Sequence, residues 1–599
     1  MTDKLLHIEV AVALPVFNTF TYSVPETFSD VALTGKRILV PFGRRRVTGY
    51  MLGKNRPPNR EDIKPILDVL DAAPLFPETI IAFFMWIAEY YIHPIGEVIK
   101  CALPGGLNVY DYALVSITET GAEALADNAA PEAARAVLNL LKESPCRLKD
   151  LRKKLKRKLP GAAIHSLQQH NWISIHRKLK SGSARQKTER FVSLANPTLP
   201  REKLTKQRKK ILDLLTLSGD MSLRKLTRVI PTTTVTVKAL EELGYVSIYS
   251  KVVYRDPFGE AVDSDTPHDL TDEQQDVISG VMRYLGRGFK TFLLAGVTGS
   301  GKTEVYMQLA SAVIQRGYSV LILIPEIALI SQMERRFRAR FEGKVAVLHS
   351  GLSPGERYDQ WLRIKNKEVS IAIGARSAIF APFSDIGLIV VDEEHDTSYK
   401  QEGSLRYNAR DLAVVRAKLE KCFALLGSAT PSIQSYYNAS QKKFVEISLE
   451  KRVEQRPLPE VEVVDLRKSR DQRGSRRFIT QELRSAMGKT LERGEQALLF
   501  LNRRGFASFP VCADCGESIK CKYCDISLTL HQTANAYRCH YCGFSRPTAS
   551  SCGNCGSSSI KHLGLGTEKV ESAVQSLFPD ARVVRMDRDT TCLLYTSPS

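Results

Sequence analysis

Thr291-Phe-Leu-Leu-Ala295-Gly296-Val-Thr-Gly-Ser-Gly-Lys302-Thr303 sets a continuous apolar strand directly before the pattern G-x-x-x-x-G-K-[ST]. A helix pattern, Glu304 to Arg316, follows it. Strand, glycine-rich loop and helix in that order form a phosphate cradle, because backbone N–H groups at the helix start can wrap an anion. Gly296, Gly299, Ser300 and Gly301 are expected to line it. Lys302 is expected to reach the β- and γ-phosphates of ATP, and Thr303 to ligate Mg²⁺.

The alternation of strands and helices extends outward from about Asp269, as a parallel α/β sheet requires. Ser319–Ile324 and Gly387–Val391 are further apolar strands of the kind buried on both faces. Asp392-Glu-Glu-His395 stands at the end of the second, which places Asp392 near the Mg²⁺ and leaves Glu393 to orient or deprotonate the attacking water. Leu270-Thr-Asp-Glu-Gln274 precedes the first strand. There Gln274 is expected to read the adenine edge, with an ordinary helix cap at Thr271 as the alternative. Gly427-Ser-Ala-Thr430-Pro follows another apolar strand, Cys422–Leu426. A second α/β series is expected from near Val461, including a strand at Gln496–Leu501, with a cysteine block inserted from about Pro510 to Ile560.

Eight of the twelve cysteines form four C-x-x-C pairs: Cys512/Cys515, Cys521/Cys524, Cys539/Cys542 and Cys552/Cys555. Eight thiolates make two Cys₄ sites, saturated by sulfur and therefore structural zinc sites. A redox role is the alternative for any one pair. Spacing alone allows the outer pairs to share one Zn²⁺ and the inner pairs the other, or sequential pairing.

The 599 residues are 43% hydrophobic and 25% charged, enough for about three to six domains. No apolar run reaches the ~20 residues of a membrane span, and the N-terminus lacks a signal-peptide pattern, so a cytoplasmic protein is expected. Lys and Arg total 85 against 65 Asp and Glu, a formal charge of +20 that favours nucleic acid. Eight basic residues and one acid lie between Arg147 and Lys158. Met1 to about Leu107 is strand-rich. Next comes an internal repeat: Val137-Leu-Asn-Leu-Leu141 is echoed by Ile211-Leu-Asp-Leu-Leu215, and Leu167–Ile175 by Leu240–Ile248. Each copy reads helix, short helix, helix, strand, which resembles a winged helix; helical bundles used only for packing are the alternative. Lys178 to Glu202 reads as a linker between the copies.

The phosphate loop, Asp392–His395 and Gly427–Pro431 together resemble superfamily 2 helicases of the DEAH-like type. A closer resemblance, to the primosomal protein N′ family of replication-restart helicases, rests on Ile324-Pro-Glu-Ile-Ala-Leu329, Gly374–Phe380, Ser398–Gln401, Arg406–Asp411 and Asn502-Arg-Arg-Gly505. Thr19-Phe-Thr-Tyr22, Val40-Pro-Phe-Gly43, Trp86–Tyr91 and Ala102-Leu-Pro104 extend it to the amino-terminal region. The resemblance implies an ATP-dependent 3′-to-5′ helicase that recognises stalled forks and starts primosome assembly. Its partners would be forked and single-stranded DNA, other primosome proteins and single-stranded-DNA-binding protein, with no membrane. A nucleoid-associated monomer is expected.

It further implies a pocket for a DNA 3′ end, where Phe20 stacks on the terminal base, Gly43 permits close approach and Lys64 reaches sugar or phosphate. Thr21 stands where the family usually has Asp. After Asp392, the residues Tyr399, Lys400, Arg406, Tyr407 and Arg410 interleave aromatics with cations, as single-strand binding requires. In the family this aromatic-rich loop links DNA binding to hydrolysis; Asn408 replaces its usual His. The family also pairs the outer cysteine pairs on one zinc and the inner pairs on the other.

The expected architecture is multidomain α/β: a β-rich DNA-end-binding domain at 1–108, winged-helix-like domains at 112–180 and 200–256, and a RecA-like ATP-binding lobe at 265–445. A second, incomplete RecA-like lobe follows at 446–591 with a two-zinc insertion at 510–560. Helicase motifs V and VI, with their arginine finger, are missing, and 592–599 matches nothing in the family, so a non-native tail is expected there. Two other readings compete with the helicase. One is a fork-binding, partner-recruiting module without catalysis. The other is a double-strand translocase such as a restriction subunit.

Overall fold

The computed structural model describes residues 6–55, 62–107, 110–127, 131–148, 150–151, 155, 161–180, 187–196, 199–200, 204–230, 234–258, 262–284, 286–453, 457, 459–465, 479–501, 509–524, 526–531, 536–539, 542–548, 551–563 and 567–586. The tail at 592–599, Asn502-Arg-Arg-Gly505 and most of the basic run at 147–158 lie outside these. The chain divides into two compact units, 1–456 and 457–599. Among the described residues no helix is long and apolar enough to cross a membrane.

The first unit opens with β1 (Leu6–Val12), β2 (Phe20–Val24), β3 (Arg37–Phe42), β4 (Arg45–Asn55) and β5 (Asp68–Val69), antiparallel in the order β2-β1-β4-β3-β5. Period-two alternation splits its side chains between two cores. Ile8, Val10, Val12 and Met51 enter one; Ala11, Tyr50 and Leu52 enter the other. Helices Ile81–Tyr90 and Ile95–Ala102 contribute to the second core, which runs on into the next α/β layer through Phe83 and Phe84, whose rings lie 6.2 and 6.4 Å from that of Phe380.

The internal repeat is a structural one. β6 (Tyr110–Ile117), β7 (Cys146–Arg147) and β8 (Ile173–Lys180) order as β7-β6-β8; β9 (Lys187–Leu194), β10 (Met221–Ser222) and β11 (Val246–Val253) order as β10-β9-β11. The echoed residues Val137, Leu138 and Leu141 are buried in one copy, and Ile211, Leu212 and Leu215 in the other. Two expectations need correction. Lys187–Leu194 is not linker but the opening strand of the second copy, paired along its length with β11. Nor does either copy open on a helix as expected: each opens on a strand, β6 or β9, to which its last strand returns antiparallel. The linker reading weighed Lys and Ser content and missed the alternation Thr188, Arg190, Val192, Leu194 against Lys187, Glu189, Phe191, Ser193.

The α/β layer comprises β12 (Lys290–Gly296), β13 (Ser319–Leu323), β14 (Val345–Leu348), β15 (Ile371–Gly374), β16 (Ile386–Val391), β17 (Phe423–Ser428) and β18 (Val445–Leu449). All pairs are parallel, in the order β14-β15-β13-β16-β17-β12-β18. Leu293, Leu321, Ile389 and Val391 pack on one face, and Phe292, Leu294, Val320, Ile322, Leu388 and Val390 on the other. Burial on both faces is why these strands read as unbroken apolar runs.

The second unit holds helices Gln481–Glu492 and Thr567–Leu577, which pack through Met487, Val570 and Val574. β19 (Phe509–Cys512) pairs antiparallel with β23 (Ile560–Leu563), and β20 (Thr529–His531), β21 (Ala536–Arg538) and β22 (Ser545–Pro547) form a small antiparallel sheet. The expected strand at Gln496–Leu501 has no ladder partner among the described residues, and Leu498 and Phe500 are 90% and 82% exposed. A strand of the doubly buried kind needs neighbours for its backbone groups on both edges, and no described strand of this unit runs parallel to another.

Candidate active site

β12 ends in the glycine-rich loop, and helix Lys302–Ile314 starts from Gly301, whose φ of +79° favours glycine. A Cβ at Gly301 would also collide with the amide nitrogen of Gln274. Lys302 Nζ donates to Gly296 O across the loop, at 2.8 Å. Gln274 is buried and engaged at both ends of its amide: Oε1 accepts from Thr271 N at 3.0 Å, and Nε2 donates to Ser300 O at 3.0 Å. Together with the bond from Gln274 N to Thr271 Oγ1, this is a capping box, so the cap alternative at Thr271 is realised. Gln274 thereby props the loop that it was expected to serve as a base reader.

A cavity of about 940 Å³ opens over this loop, lined by Gly299, Gly301, Lys302, Thr303, Asp392 and Glu393 and also by Asp265, His268, Arg335 and Arg336. Arg340 donates to Glu304 Oε1 at 3.0 Å and to Asp265 Oδ2 at 2.7 Å, tying the first turn of the phosphate-loop helix to the segment that holds Asp265.

Asp392 leaves the end of β16, one strand removed from β12 in the sheet. Burial pushes its carboxyl above the ordinary value, and the bond from Tyr306 Oη to Oδ1, at 2.9 Å, works against that shift. Tyr306 is fully buried on the phosphate-loop helix, and a Cβ at Gly427 would occupy its hydroxyl position. The glycine before Ser428 therefore makes room for the group that bonds Asp392. Sequence reasoning missed Tyr306; its place one helical turn past Thr303 was the available signal.

Glu393 has a φ of +44°, a strained conformation for a residue with a side chain, and it turns the backbone at the sheet edge. His395 Nδ1 lies 2.8 Å from Ser428 Oγ and 3.5 Å from Glu393 Oε2. Glu394 is 1% exposed and accepts from Ser432 N at 2.7 Å, Ser435 Oγ at 2.7 Å and Arg410 at 3.3 Å. This residue, also missed, joins the acidic motif to the segment after Ser428 and to the loop after Asp392. Thr303 and Asp392 offer two oxygen donors beside a phosphate cradle, a set that suits a hard divalent cation.

The aromatic-rich loop is built differently from expectation. Tyr399 is 1% exposed, with Oη donating to Asp392 O at 2.5 Å and Leu323 O at 3.0 Å. Tyr407 is 2% exposed and packs edge-on to Phe380 at 5.3 Å. Neither ring offers a face to a base as placed, because both complete the core beneath the loop. Arg410 is committed as well, to Glu394, Ser432 Oγ, Gln434 and Asp411. Lys400 and Arg406 are exposed. Asn408 caps helix Ala409–Leu419 by accepting from Arg410 N at 3.0 Å.

In the amino-terminal sheet, Phe20 packs edge-on to Phe42 at 5.2 Å, beside the turn at Gly43, where φ is +58° and a Cβ would meet nothing. Lys64 is exposed, and its carbonyl accepts from Ser23 N at 3.1 Å, three residues along β2 from Phe20. The Thr21 hydroxyl accepts from Asn55 Nδ2 at 3.1 Å. Phe20 thus packs on the residue before Gly43, and the segment that carries Lys64 bonds β2 three residues further along.

The cysteines gather as two groups, Cys512, Cys515, Cys552 and Cys555, and Cys521, Cys524, Cys539 and Cys542, each with sulfurs within 4.8 Å of one another. This is the outer-with-outer and inner-with-inner pairing; sequential pairing is excluded. Zn–S bonds of ~2.3 Å put tetrahedral sulfurs ~3.8 Å apart, and Cys512–Cys555 and Cys515–Cys552 stand at 3.5 and 3.6 Å. Backbone N–H groups of Cys515 and Asp514 lower the Cys512 thiol pKa, and those of Cys555 and Asn554 lower that of Cys552. The donor sets fit structural zinc.

Three family models match: the 3′DNA-binding domain (3′BD) at residues 9–104, the DEAD/DEAH box helicase at 271–439, and the PriA DNA helicase Cys-rich region (CRR) domain at 521–547. The chain is 36% identical to the replication restart protein PriA of Bacillus subtilis over 597 residues, covering 96% of this chain and 71% of that protein. It is 36% identical to the Synechocystis replication restart protein PriA, covering 96% and 70%, and 32% identical to that of Haemophilus influenzae, covering 98% and 70%. Identity at that level along nearly its whole length means that this chain belongs to the PriA family of replication restart proteins.

Proposed function

We propose that the chain is an ATP-dependent DNA helicase of replication restart, which engages forked DNA, moves 3′ to 5′ and initiates primosome assembly. The observation that carries this reading is a cavity, at the carboxyl edge of a parallel sheet, lined by Lys302, Thr303, Asp392 and Glu393. Lys302 holds the β- and γ-phosphates of ATP. Thr303 and Asp392 hold a Mg²⁺, which when bound neutralises charge on those phosphates. Glu393 orients the attacking water and takes its proton.

Buried Asp392 is kept usable by Tyr306, whose bond favours the ionised carboxylate. Two zinc ions staple the cysteine-rich region. Phe20, Gly43 and Lys64 receive a DNA 3′ end, and Lys400 and Arg406 follow the phosphates of a single strand. The domains are 1–108, 112–180, a second repeat whose start moves back to Lys187, and the ATP-binding lobe at 265–445; the second lobe at 446–591 carries the insertion at 510–560. Other primosome proteins and single-stranded-DNA-binding protein are the proposed partners, with the nucleoid as the place of action. A catalytically inert fork-binding module is not favoured, since a DEAD/DEAH box model and PriA relatives span the nucleotide site.

The test is ATP hydrolysis by the purified chain with and without forked DNA. Lys302→Ala should lower the rate at least about a hundredfold while fork binding persists. Undiminished DNA-stimulated turnover in that variant would sink the assignment.

A further inference from the structure

The second copy of the repeat, from Lys187 to Val253, lies between the residues matched by the 3′DNA-binding and helicase models. Its helices Leu223–Val229 and Thr234–Glu242 follow one another in the chain and share one core through Leu223, Leu226, Val237 and Leu240. That is helix-turn-helix order, and the two helices leave different groups outside. The first turns out Arg224, Lys225, Arg228 and Val229, with no acid among them. The second turns out Val235, 73% exposed, near its start and Lys238 at its middle. Glu241 and Glu242 come at its far end, where Glu241 accepts from Ile248 N at 2.8 Å. Lys225, Arg228 and Lys238 have no carboxylate partner among the described residues. A groove of about 300 Å³ is lined by Arg190, Arg224, Thr227 and Thr234 with Leu223 and Glu189, and that one acid is held by Lys187 at 2.5 Å.

The β9–β11 ladder has no closing loop. Lys187 stands opposite Val253, so the chain enters and leaves the copy at that one end. Just beyond it Tyr254 Oη donates to Glu368 at 2.6 Å and Arg255 to fully buried Asp359 at 2.7 Å. A Cβ at Gly355 would collide with the Arg255 guanidinium. The copy is thus moored to the α/β layer through the end of β11.

We infer that this helix pair is a docking surface for duplex DNA, through which the second copy carries a double-stranded arm of the fork beside the ATP-binding lobe. In helix-turn-helix docking the first helix crosses the phosphate backbone and the second lays its leading residues in the major groove. Arg224, Lys225 and Arg228 supply the cations that a backbone crossing needs. Val235 supplies an apolar contact of the kind that meets a thymine methyl, and the acids fall at the trailing end of the second helix. Neither helix contains an aromatic residue on which an unpaired base could stack, so the surface suits a duplex and not a single strand.

The inference rests on the helicase reading only in taking DNA as the ligand. The probe is a dye-labelled duplex closed by a hairpin at each end, which offers no 3′ end, titrated with the whole chain and read by anisotropy. Lys225→Glu combined with Arg228→Glu should weaken binding at least about tenfold, and Lys225→Ala alone should lessen the salt slope by about 0.9. Oligothymidylate binding and basal ATP hydrolysis should stay at wild type. An unchanged thermal midpoint is the control that these exposed side chains are not needed for folding. Lys206→Glu combined with Lys210→Glu, on helix Lys206–Ser218 of the same copy, reverses as much charge elsewhere. An equal loss from that pair would reduce the effect to general charge and overturn the docking surface. Wild-type duplex affinity in Lys225→Glu with Arg228→Glu would overturn it too. Both results leave the helicase reading intact, as does a wild type that hydrolyses ATP on forks but ignores the closed duplex, which also overturns the surface. Duplex binding lost in Lys225→Glu with Arg228→Glu, in a chain without DNA-stimulated hydrolysis, would sink the helicase reading and keep the surface.

Discussion

The ATP-binding lobe and the cysteine-rich unit hold their functional groups in place by opposite means. In the lobe, strands such as β13 and β16 are buried throughout; Lys302 follows the loop at the end of β12, and Asp392 and Glu393 follow the end of β16. The fold exists without them. In the cysteine-rich unit the strands are three or four residues long. Its insertion core is Ile519, Cys521, Leu528, Tyr537 and Cys539, two of which are metal donors. Strands so short with so small a core do not stand alone. Removing a site residue should cost chemistry in the lobe and folding in the insertion.

Zinc removal should give the largest effect. Structural zinc contributes about 10–16 kcal/mol of apparent binding energy, which here is folding energy. Metal analysis should find two equivalents per chain. A strong chelator should unfold the insertion, read by the environments of Tyr523 and Tyr537, while emission from the three tryptophans, Trp86, Trp172 and Trp361, stays unchanged because none lies in the insertion. Fewer than two equivalents, or an insertion unmoved by metal loss, would break the comparison.

Glu394→Ala sharpens it from the other side. Glu394 is a buried acceptor that joins the acidic motif to the segment after Ser428; its removal takes the partner of the Ser432 N–H and the Ser435 hydroxyl and one of the partners of Arg410, which keeps Ser432, Asp411 and Gln434. A buried polar group left without its acceptor costs about 1–3 kcal/mol. Urea unfolding should show a loss of that order; a change under about 0.5 kcal/mol, the level of an ordinary surface substitution, would place Glu394 outside the scaffold.

Tyr306→Phe should be the mildest. The bond it removes lowers the Asp392 pKa, so its loss raises that pKa further. A raised carboxyl pKa means that the ionised form needed to hold a cation is reached only at higher pH. The acid limb of the ATP hydrolysis profile should therefore move up by about half to one pH unit, as one hydrogen bond of about 1 kcal/mol allows. An unmoved or lowered limb would show that Tyr306 does not tune Asp392. In stability terms the raised pKa has the same sign: the folded state is favoured below the ordinary Asp pKa, and that advantage disappears as pH rises through the folded value.

Some features were legible because they are local. The phosphate loop needs its glycines, lysine and threonine within eight positions after a strand, and all of that is written consecutively in Gly296–Thr303. The two copies of the repeat were visible because their buried residues recur at nearly equal offsets, 74 for Leu141 and Leu215 and 73 for Leu167 and Leu240. Lys187–Leu194 was misread for the opposite reason: its partner β11 lies over fifty residues away, and charge content outweighed a weak alternation. The cap at Thr271 was legible in Thr271-Asp-Glu-Gln274 and is seen in the reciprocal bonds of those two residues; the bond from Gln274 to Ser300 O, a residue on another element, was not.

The sequence by itself determined the parallel sheet, the position of the nucleotide cradle and acidic turn on its edge, and the presence of eight zinc-ligand cysteines, because backbone periodicity and short-range spacing carry that information. Which cysteines gather is left open by C-x-x-C spacing and was implied by the family resemblance; the tertiary structure shows it, because the choice depends on how β19 meets β23. Only the tertiary structure decided that Tyr399 and Tyr407 point inward. An aromatic ring serves a core and a stacking surface equally well, and which it joins depends on what packs against it from elsewhere in the chain.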